Sequence, residues 1–286
     1  MNQNSDSRSR RRSGGQLIDD NQQQRDYLSD LKYTKIVTNI IVTEDNDLDD
    51  KDLCGCRVDC RCCDNQWPED INPEEEHWCQ CSQSRCDVDF NYDTNGLLMN
   101  FTKPIHECGD NCFCNSSDQL KIKCWNRYTQ RQIIFNTQLF IHPIKGYGLR
   151  TLSDLKTGQF VTEYCGEVID RIEAYKRFGE QNEEKHNYIL IFREHFGKDI
   201  IFEVIIDAKY YGNDSRFINH SCDPNLIALP VRSDSLRPRI CLFAIKDITS
   251  GTELSYNYGS NDSPLSTKKC FCGFQKCRGF MPKDNY

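Results

Sequence analysis

The chain carries 18 cysteines in 286 residues, and their placement narrows what they can do. Twelve lie between Cys54 and Cys124, three between Cys270 and Cys277, and three stand alone at Cys165, Cys222 and Cys241. Dense C-x-C pairs suit disulfides poorly, because neighbouring thiols compete for partners. They suit thiolates gathered round a metal ion, and tetrahedral zinc takes four such donors. The first group reads Cys54-x-Cys56-x3-Cys60, Cys62-Cys63, Cys79-x-Cys81, Cys86, then Cys108-x3-Cys112-x-Cys114-x9-Cys124. Three zinc ions sharing three bridging thiolates need nine sulfurs, and the spacing nominates Cys54, Cys56, Cys60, Cys79, Cys81, Cys108, Cys112, Cys114 and Cys124. Cys62, Cys63 and Cys86 are then surplus, although Cys62 or Cys63 can replace a nominated ligand across the long Cys60–Cys79 segment. The C-terminal group, Cys270-x-Cys272-x4-Cys277, leaves a fourth zinc one donor short, and Cys222 is the nearest plausible source. The competing reading of the same thiols is a redox or metal-storage protein, separated from this one by the zinc stoichiometry.

The remaining features bound the partners. Counting 43 acidic and 36 basic residues, the formal charge is -7. An acidic protein attracts a basic peptide more readily than nucleic acid. Direct nucleic-acid binding is expected at most through the basic N-terminal tail, where Arg8, Arg10, Arg11 and Arg12 form a short run. That run reads as a solvated tail or as a nuclear-import or phosphate-contacting patch. No run approaches the roughly 18 apolar residues of a membrane span, and no apolar stretch follows the N-terminal basic residues as in a secretory signal. No membrane partner is expected.

The elements that must position any site are short. Residues 1–30 read as a disordered basic and polar tail, and residues 31–43 as an extended segment leading into a cysteine-rich module that reaches 131. From about 133 the runs IIFNTQLFIH, FVTEYCGEVI, YILIF, IIFEVIID and RICLFAI are rich in β-branched and aromatic residues and are separated by turn sequences. One helix is expected over about 171–185, with Gly179 as a break. No Gly-rich turn opens a helix inside a βαβ unit, which argues against a dinucleotide domain. The fold class is mostly β.

Four motifs stand among these strands: Lys145-Gly-Tyr-Gly-Leu149, Glu163-Tyr-Cys-Gly-Glu167, Arg216-Phe-Ile-Asn-His-Ser-Cys222 and Glu253-Leu-Ser-Tyr-Asn-Tyr258. Singly each is weak. In this order, between two cysteine groups, they resemble a SET-domain lysine methyltransferase of the heterochromatin type, with pre-SET and post-SET zinc modules. The resemblance covers about residues 33–286 and divides the chain into a pre-SET region (31–131), a catalytic domain (132–259) and a post-SET module (266–286). It implies a pseudoknot in which the Arg216–Cys222 segment threads the loop bearing Leu254–Tyr258. It implies S-adenosylmethionine and zinc as cofactors, three zincs before the catalytic domain and one after it. A histone H3 tail or nucleosome is the implied substrate, lysine 9 the implied target, and nucleus and chromosome the location. Lysine 36, a non-histone lysine and a noncatalytic chromatin-binding role remain alternatives.

The same resemblance assigns roles. Lys145, Gly146 and Tyr147 approach the methionine end of the cofactor, with Gly146 and Gly148 leaving room. Tyr188 and Arg216 face its carboxylate or ribose, Asn219 and His220 hold its adenine and amino groups, and Phe271 stacks on the adenine. Tyr258 is the catalytic tyrosine and Tyr164 lines the lysine channel. Tyr256 stands where many trimethylating relatives carry Phe, which implies arrest at mono- or dimethyllysine. The implied reaction is an in-line displacement by a neutral lysine amine, in which alignment and polar surroundings supply the rate. A desolvated channel lowers the amine's pKa. Residues 199–211 are the expected wall of a groove that binds the peptide as an added strand. The long Cys114–Cys124 and Cys60–Cys79 spacers depart from the pattern and loosen the ligand assignment.

Overall fold

The computed structural model describes residues 33–42, 91–103, 105–110, 124–131, 136–183, 187–196, 199–233, 235, 237–259 and 265–283. The N-terminal tail and most of the first cysteine group (Cys54 to Cys86, Cys112 and Cys114) lie outside these residues. The expectations of a disordered tail and of a three-zinc cluster therefore concern residues not described.

The largest sheet holds the core. Its strands are β3 (Ile105–His106), β6 (Phe160–Glu163), β11 (Asn219–His220), β12 (Leu226–Arg232), β13 (Arg239–Ala244) and β14 (Ser255–Tyr256). The order is β11-β14-β12-β13-β6, with β3 beside the far end of β12. Strand β13 is apolar along its length, and Ile240 through Ala244 are fully buried, as suits a strand covered on both faces. Tyr92, Phe160 and Phe243 pack with Val231 and Cys241 into one cluster, and each fully buried aliphatic or aromatic side chain there contributes about 1.5–3 kcal/mol.

The second sheet has the order β2-β7-β9-β8, formed by β2 (Ile40–Ile41), β7 (Glu167–Ile169), β8 (Ile189–Phe196) and β9 (Asp199–Asp207). The helix α1 (Arg171–Glu183) packs Ala174 against Ile169 and Ile205 of this sheet. Asp170 opens the helix by accepting from the Glu173 amide. The expected break at Gly179 is not present: nothing crowds that position and the helix runs through it, because one exposed glycine costs only about 1 kcal/mol. Three two-stranded pairs complete the framework: β1 (Thr34–Lys35) with β10 (Tyr211–Gly212), β4 (Thr137–His142) with β5 (Gly146–Thr151), and β15 (Leu265–Lys269) with β16 (Phe280–Pro282).

One further point differs from the sequence reading. Strand β12 was not among the expected runs, because Pro230 interrupts it and a proline argues against a central strand. Here Pro230 sits opposite Ile240 in the β12–β13 ladder, while β3 meets β12 only at Val231 and Arg232. Strand β9, part of the expected groove wall, is paired along one side by β8, while β7 covers only Ile205–Asp207 of the other. Among the described residues no helix is long and apolar enough to cross a membrane.

Candidate active site

A cleft of about 680 Å³ opens between the two sheets and the β15–β16 hairpin. It is lined by Tyr164, Tyr256 and Tyr258 together with Lys145, Tyr147, Tyr188, Arg216, Asn219, His220 and Phe271. Of the residues nominated from the motifs, only Gly146 and Gly148 do not line this cleft. Positions spread over 127 residues of sequence thus meet in one cavity because of how β11 and β14 are joined. These two strands run parallel, Asn219 opposite Ser255 and His220 opposite Tyr256, and the Ser221 amide donates to the Tyr256 carbonyl (3.1 Å). The Asn225 side chain locks the crossing, donating to the Glu253 carbonyl and accepting from the Ser255 amide, both at 2.8 Å.

The three tyrosines differ in environment. Tyr258 is 39% exposed at the cleft and donates its hydroxyl proton to the Ile218 carbonyl at 2.9 Å. A phenol that has given its one proton away still has oxygen lone pairs, so toward the cleft it acts as an acceptor. Its ring lies 4.8 Å from that of Tyr256, which is buried. Tyr164 is buried too and donates to the Tyr188 carbonyl at 2.8 Å. Burial, with smaller help from neighbouring Tyr258, holds its hydroxyl protonated far above the usual phenol range. An amine entering between these rings meets hydroxyl oxygens and aromatic faces.

His220 accepts from the Tyr258 amide through Nδ1 (3.2 Å), and its Nε2 lies 3.5 Å from the Cys222 sulfur. Burial first, and then the charge of Arg278, lowers its pKa to about 4. The ring is neutral at physiological pH, in agreement with the acceptor role of Nδ1. The Asn219 amide donates to the Tyr147 carbonyl and to Glu253 Oε1, both at 3.0 Å. The side chains of Asn219 and His220 are therefore held within the wall by these contacts.

Lys145 Nζ contacts both oxygens of Glu253 at 2.6 Å. Glu253 thus ties the β4–β5 turn to β11, a role that sequence reading missed although the residue opens a quoted motif. Gly146 turns with φ +80° and has open space where a side chain would stand, a conformation favouring glycine. The room at Gly148 is taken by Phe140 and Asn219, 2.6 and 3.2 Å from where a Cβ would sit. That glycine serves close packing within the wall.

Arg216 is buried, and its guanidinium lies 3.8 Å from the centre of the Tyr188 ring. One nitrogen donates to the Lys209 carbonyl at 2.9 Å, while its Nε has no hydrogen-bond partner among the described residues. The Tyr188 backbone is fixed from α1: Gln181, fully buried, accepts from the Tyr188 amide (2.9 Å) and donates to Asp207 (3.0 Å). Arg177 Nη1 reaches the same Asp207 at 3.1 Å and Glu167 at 2.9 Å. Neither Gln181 nor Asp207 carries a motif that would have marked it.

Beside the cleft, the sulfurs of Cys222, Cys270, Cys272 and Cys277 lie within 4.8 Å of one another. Cys108 and Cys124 are buried at the seam with the catalytic sheet, where Asn126 donates to the Cys108 sulfur (3.5 Å). Neighbouring Glu107 accepts from Tyr92, the Thr129 amide and hydroxyl, Gln130 and Arg239.

A mostly β scaffold, with two parallel segments crossing at a tyrosine-lined cleft, defines a SET domain, and the SET domain family model matches residues 146–259. The mouse histone-lysine N-methyltransferase SETMAR is 40% identical over 214 residues, 68% of this chain and 67% of that protein. The chain belongs to the SET-domain histone-lysine N-methyltransferases. Among solved structures, the methyltransferase domain of human SETMAR matches with TM-score 0.68 at 34% identity, covering 88% of this chain and 90% of that one. The whole human SETMAR protein is longer, and the match spans 30% of it. Arabidopsis thaliana SUVH6, solved in complex with SAM, matches with TM-score 0.56 at 31% identity over 66% of this chain and 41% of that one.

Proposed function

We propose that this enzyme transfers methyl groups from S-adenosylmethionine to a lysine of the histone H3 tail, lysine 9, and stops at mono- or dimethyllysine. The observation that carries the reading is the convergence of Tyr164, Tyr256 and Tyr258 with Arg216 and the Lys145–Tyr147 turn on one cleft. We read residues 132–259 as the catalytic domain, 31–131 as the pre-SET region, 266–286 as the post-SET module and 1–30 as a tail. The protein then works in the nucleus, on chromosomes.

The residues fit both groups that the family implies. S-adenosylmethionine supplies, when bound, a methyl group activated on a sulfonium. Arg216 brings a cationic guanidinium to the wall and its buried Nε has no partner among the described residues, Gly146 leaves an open turn, and half-exposed Phe271 stands at the cleft. For zinc, a tetrahedral thiolate site with bonds of about 2.3 Å requires sulfurs about 3.8 Å apart. Cys222 lies 3.8 Å from Cys277 and 3.9 Å from Cys270. Such a site would brace one wall of the cleft. Three zincs on the nine thiolates from Cys54 to Cys124 would brace the pre-SET region.

The chain's own residues do the positioning. Tyr258, its proton directed at Ile218, accepts an N–H of the incoming lysine and so aims the amine's lone pair. Tyr164 and Tyr256 form the apolar channel that strips water and favours the neutral amine. The Tyr256 hydroxyl narrows the space in which a methylated amine must rotate. The test is incubation of the full chain with nucleosomes and with H3 peptides, labelled S-adenosylmethionine, and site mapping by mass spectrometry. Transfer to lysine 9 that falls at least about 100-fold in Tyr258→Phe is expected, the scale of a lost positioned proton-handling group. Transfer to lysine 36 alone would redirect the substrate assignment, and undiminished transfer by Tyr258→Phe would refute the mechanism. Tyr256→Phe is expected to accumulate trimethyllysine; abundant trimethyllysine from the parent enzyme would overturn the product limit.

A further inference from the structure

The segment before the cysteine module reaches the active-site arginine. Tyr33 lies just ahead of β1, and its ring centre is 4.5 Å from the Arg216 guanidinium. The same guanidinium is crowded by the Tyr188 ring at 3.8 Å and the Phe217 ring at 5.2 Å. Tyr33 also meets Phe217 edge-on, with ring centres 6.0 Å apart. Its hydroxyl donates to Asp214 at 3.3 Å, and Lys35 reaches the other oxygen of Asp214 at 2.7 Å. Two backbone bonds fix the strand: the Thr34 amide donates to the Tyr210 carbonyl and the Ile36 amide to the Gly212 carbonyl, both at 2.7 Å. Six residues on, Asn39 donates to Glu163 Oε1 at 3.0 Å and accepts from the Gly166 amide at 2.8 Å. One short strap thus touches the loop of Arg216 and the loop of Tyr164.

We infer that Tyr33 is a positioning residue for cofactor binding, its ring holding the Arg216 guanidinium in place at the wall of the cleft. A guanidinium stacked among aromatic rings keeps its charge without an ion-pair partner. Lacking Tyr33, the arginine has one ring fewer to fix its rotamer, and the cleft wall that it forms loosens. Tyr33 does not line the cleft, so it acts through Arg216 and not on the reacting atoms. The inference rests on the reading of the cleft as the S-adenosylmethionine site.

The test compares Tyr33→Leu, which fills the volume without a ring face, with Tyr33→Phe, which keeps the face and loses the hydroxyl. Calorimetric binding of S-adenosylmethionine and S-adenosylhomocysteine to the full chain is measured beside steady-state kinetics and melting temperature. In the leucine variant the Kd and KM for S-adenosylmethionine rise about five- to tenfold, a loss between those of an exposed and a desolvated cation–π contact. Its kcat and its KM for the peptide stay within about twofold, and the phenylalanine variant stays within about twofold throughout. Tyr33→Met repeats the comparison should the leucine variant not fold. Parent-like cofactor binding in the leucine or methionine variant would overturn the inference, as would an equal loss in the phenylalanine variant. If the parent chain binds neither compound, the functional reading fails as well, which separates the two failures.

Discussion

Replacing Glu253 by glutamine tests whether the wall of the cleft is held electrostatically. The carboxylate meets Lys145 Nζ at 2.6 Å through both oxygens and the Asn219 amide at 3.0 Å. The Lys145 and Glu253 side chains are 14% and 27% exposed, so solvent screens them only in part. Glutamine keeps the shape but removes the charge and turns an NH2 group toward donors it cannot satisfy. A charge-assisted bond of this kind contributes about 1.5–3 kcal/mol. Taking about 2 kcal/mol, the melting temperature of a domain of this size falls about 4–8 °C. If about 1.4 kcal/mol of that is expressed at the Lys145–Tyr147 turn, the KM for S-adenosylmethionine rises about tenfold. The control is Asp247→Asn, which breaks the exposed Lys156–Asp247 pair, a surface pair of a kind that contributes little. Differential scanning fluorimetry and initial rates read both effects. If Glu253→Gln behaves like the control in both measurements, Glu253 does not tie the turn to β11.

Three other changes have definite expected outcomes. Cys222→Ser is expected to lose one zinc per chain by elemental analysis and to abolish methyl transfer while the main thermal transition survives; retained zinc with full activity would separate Cys222 from the C-terminal thiols. Gln181→Leu strips partners from buried Asp207 and from the Tyr188 amide, which is expected to cost about 2–4 kcal/mol in denaturant unfolding; a cost near zero would refute that link between α1 and the cleft. Glu107→Ala leaves five donors at the seam without their acceptor, Arg239 among them, and is expected to cost about 3–5 kcal/mol, read as loss of soluble, cooperatively melting protein.

The sequence carried the β-rich character, α1 and the motif residues because each has a local signal: β-branched runs, a capped amphiphilic stretch, fixed spacings. Strand β12 escaped because Pro230 is a local contradiction that only the ladder with β13 resolves. The grouping of Cys222 with Cys270, Cys272 and Cys277 was legible from ligand arithmetic, since three thiolates leave a tetrahedral ion one donor short. Glu253, Asn225, Gln181 and Tyr33 were not legible as parts of the site. Their types are ordinary and their partners are remote in sequence, so only the fold identifies them. Nor does the composition of Asp199–Asp207 tell which strand edges are open: β8 runs along one side, and β7 covers only Ile205–Asp207 of the other.

The parallel strand pairings also bear on the order of folding. Strand β1 meets β10, β2 meets β7, β3 meets β12 and β11 meets β14, each side by side in parallel across a long intervening segment. Tyr33 and Asp214, joined by a hydrogen bond, stand 181 positions apart in the chain. Closing such loops delays the contacts that reward them, and folds dominated by non-local pairing form slowly. Local hairpins such as β8–β9 can assemble early, whereas the strap from Tyr33 to Val42 docks only once its distant partners exist. In refolding, recovery of ligand binding is therefore expected to follow the formation of the local hairpins, since the walls of the cleft are closed by pairings distant in sequence.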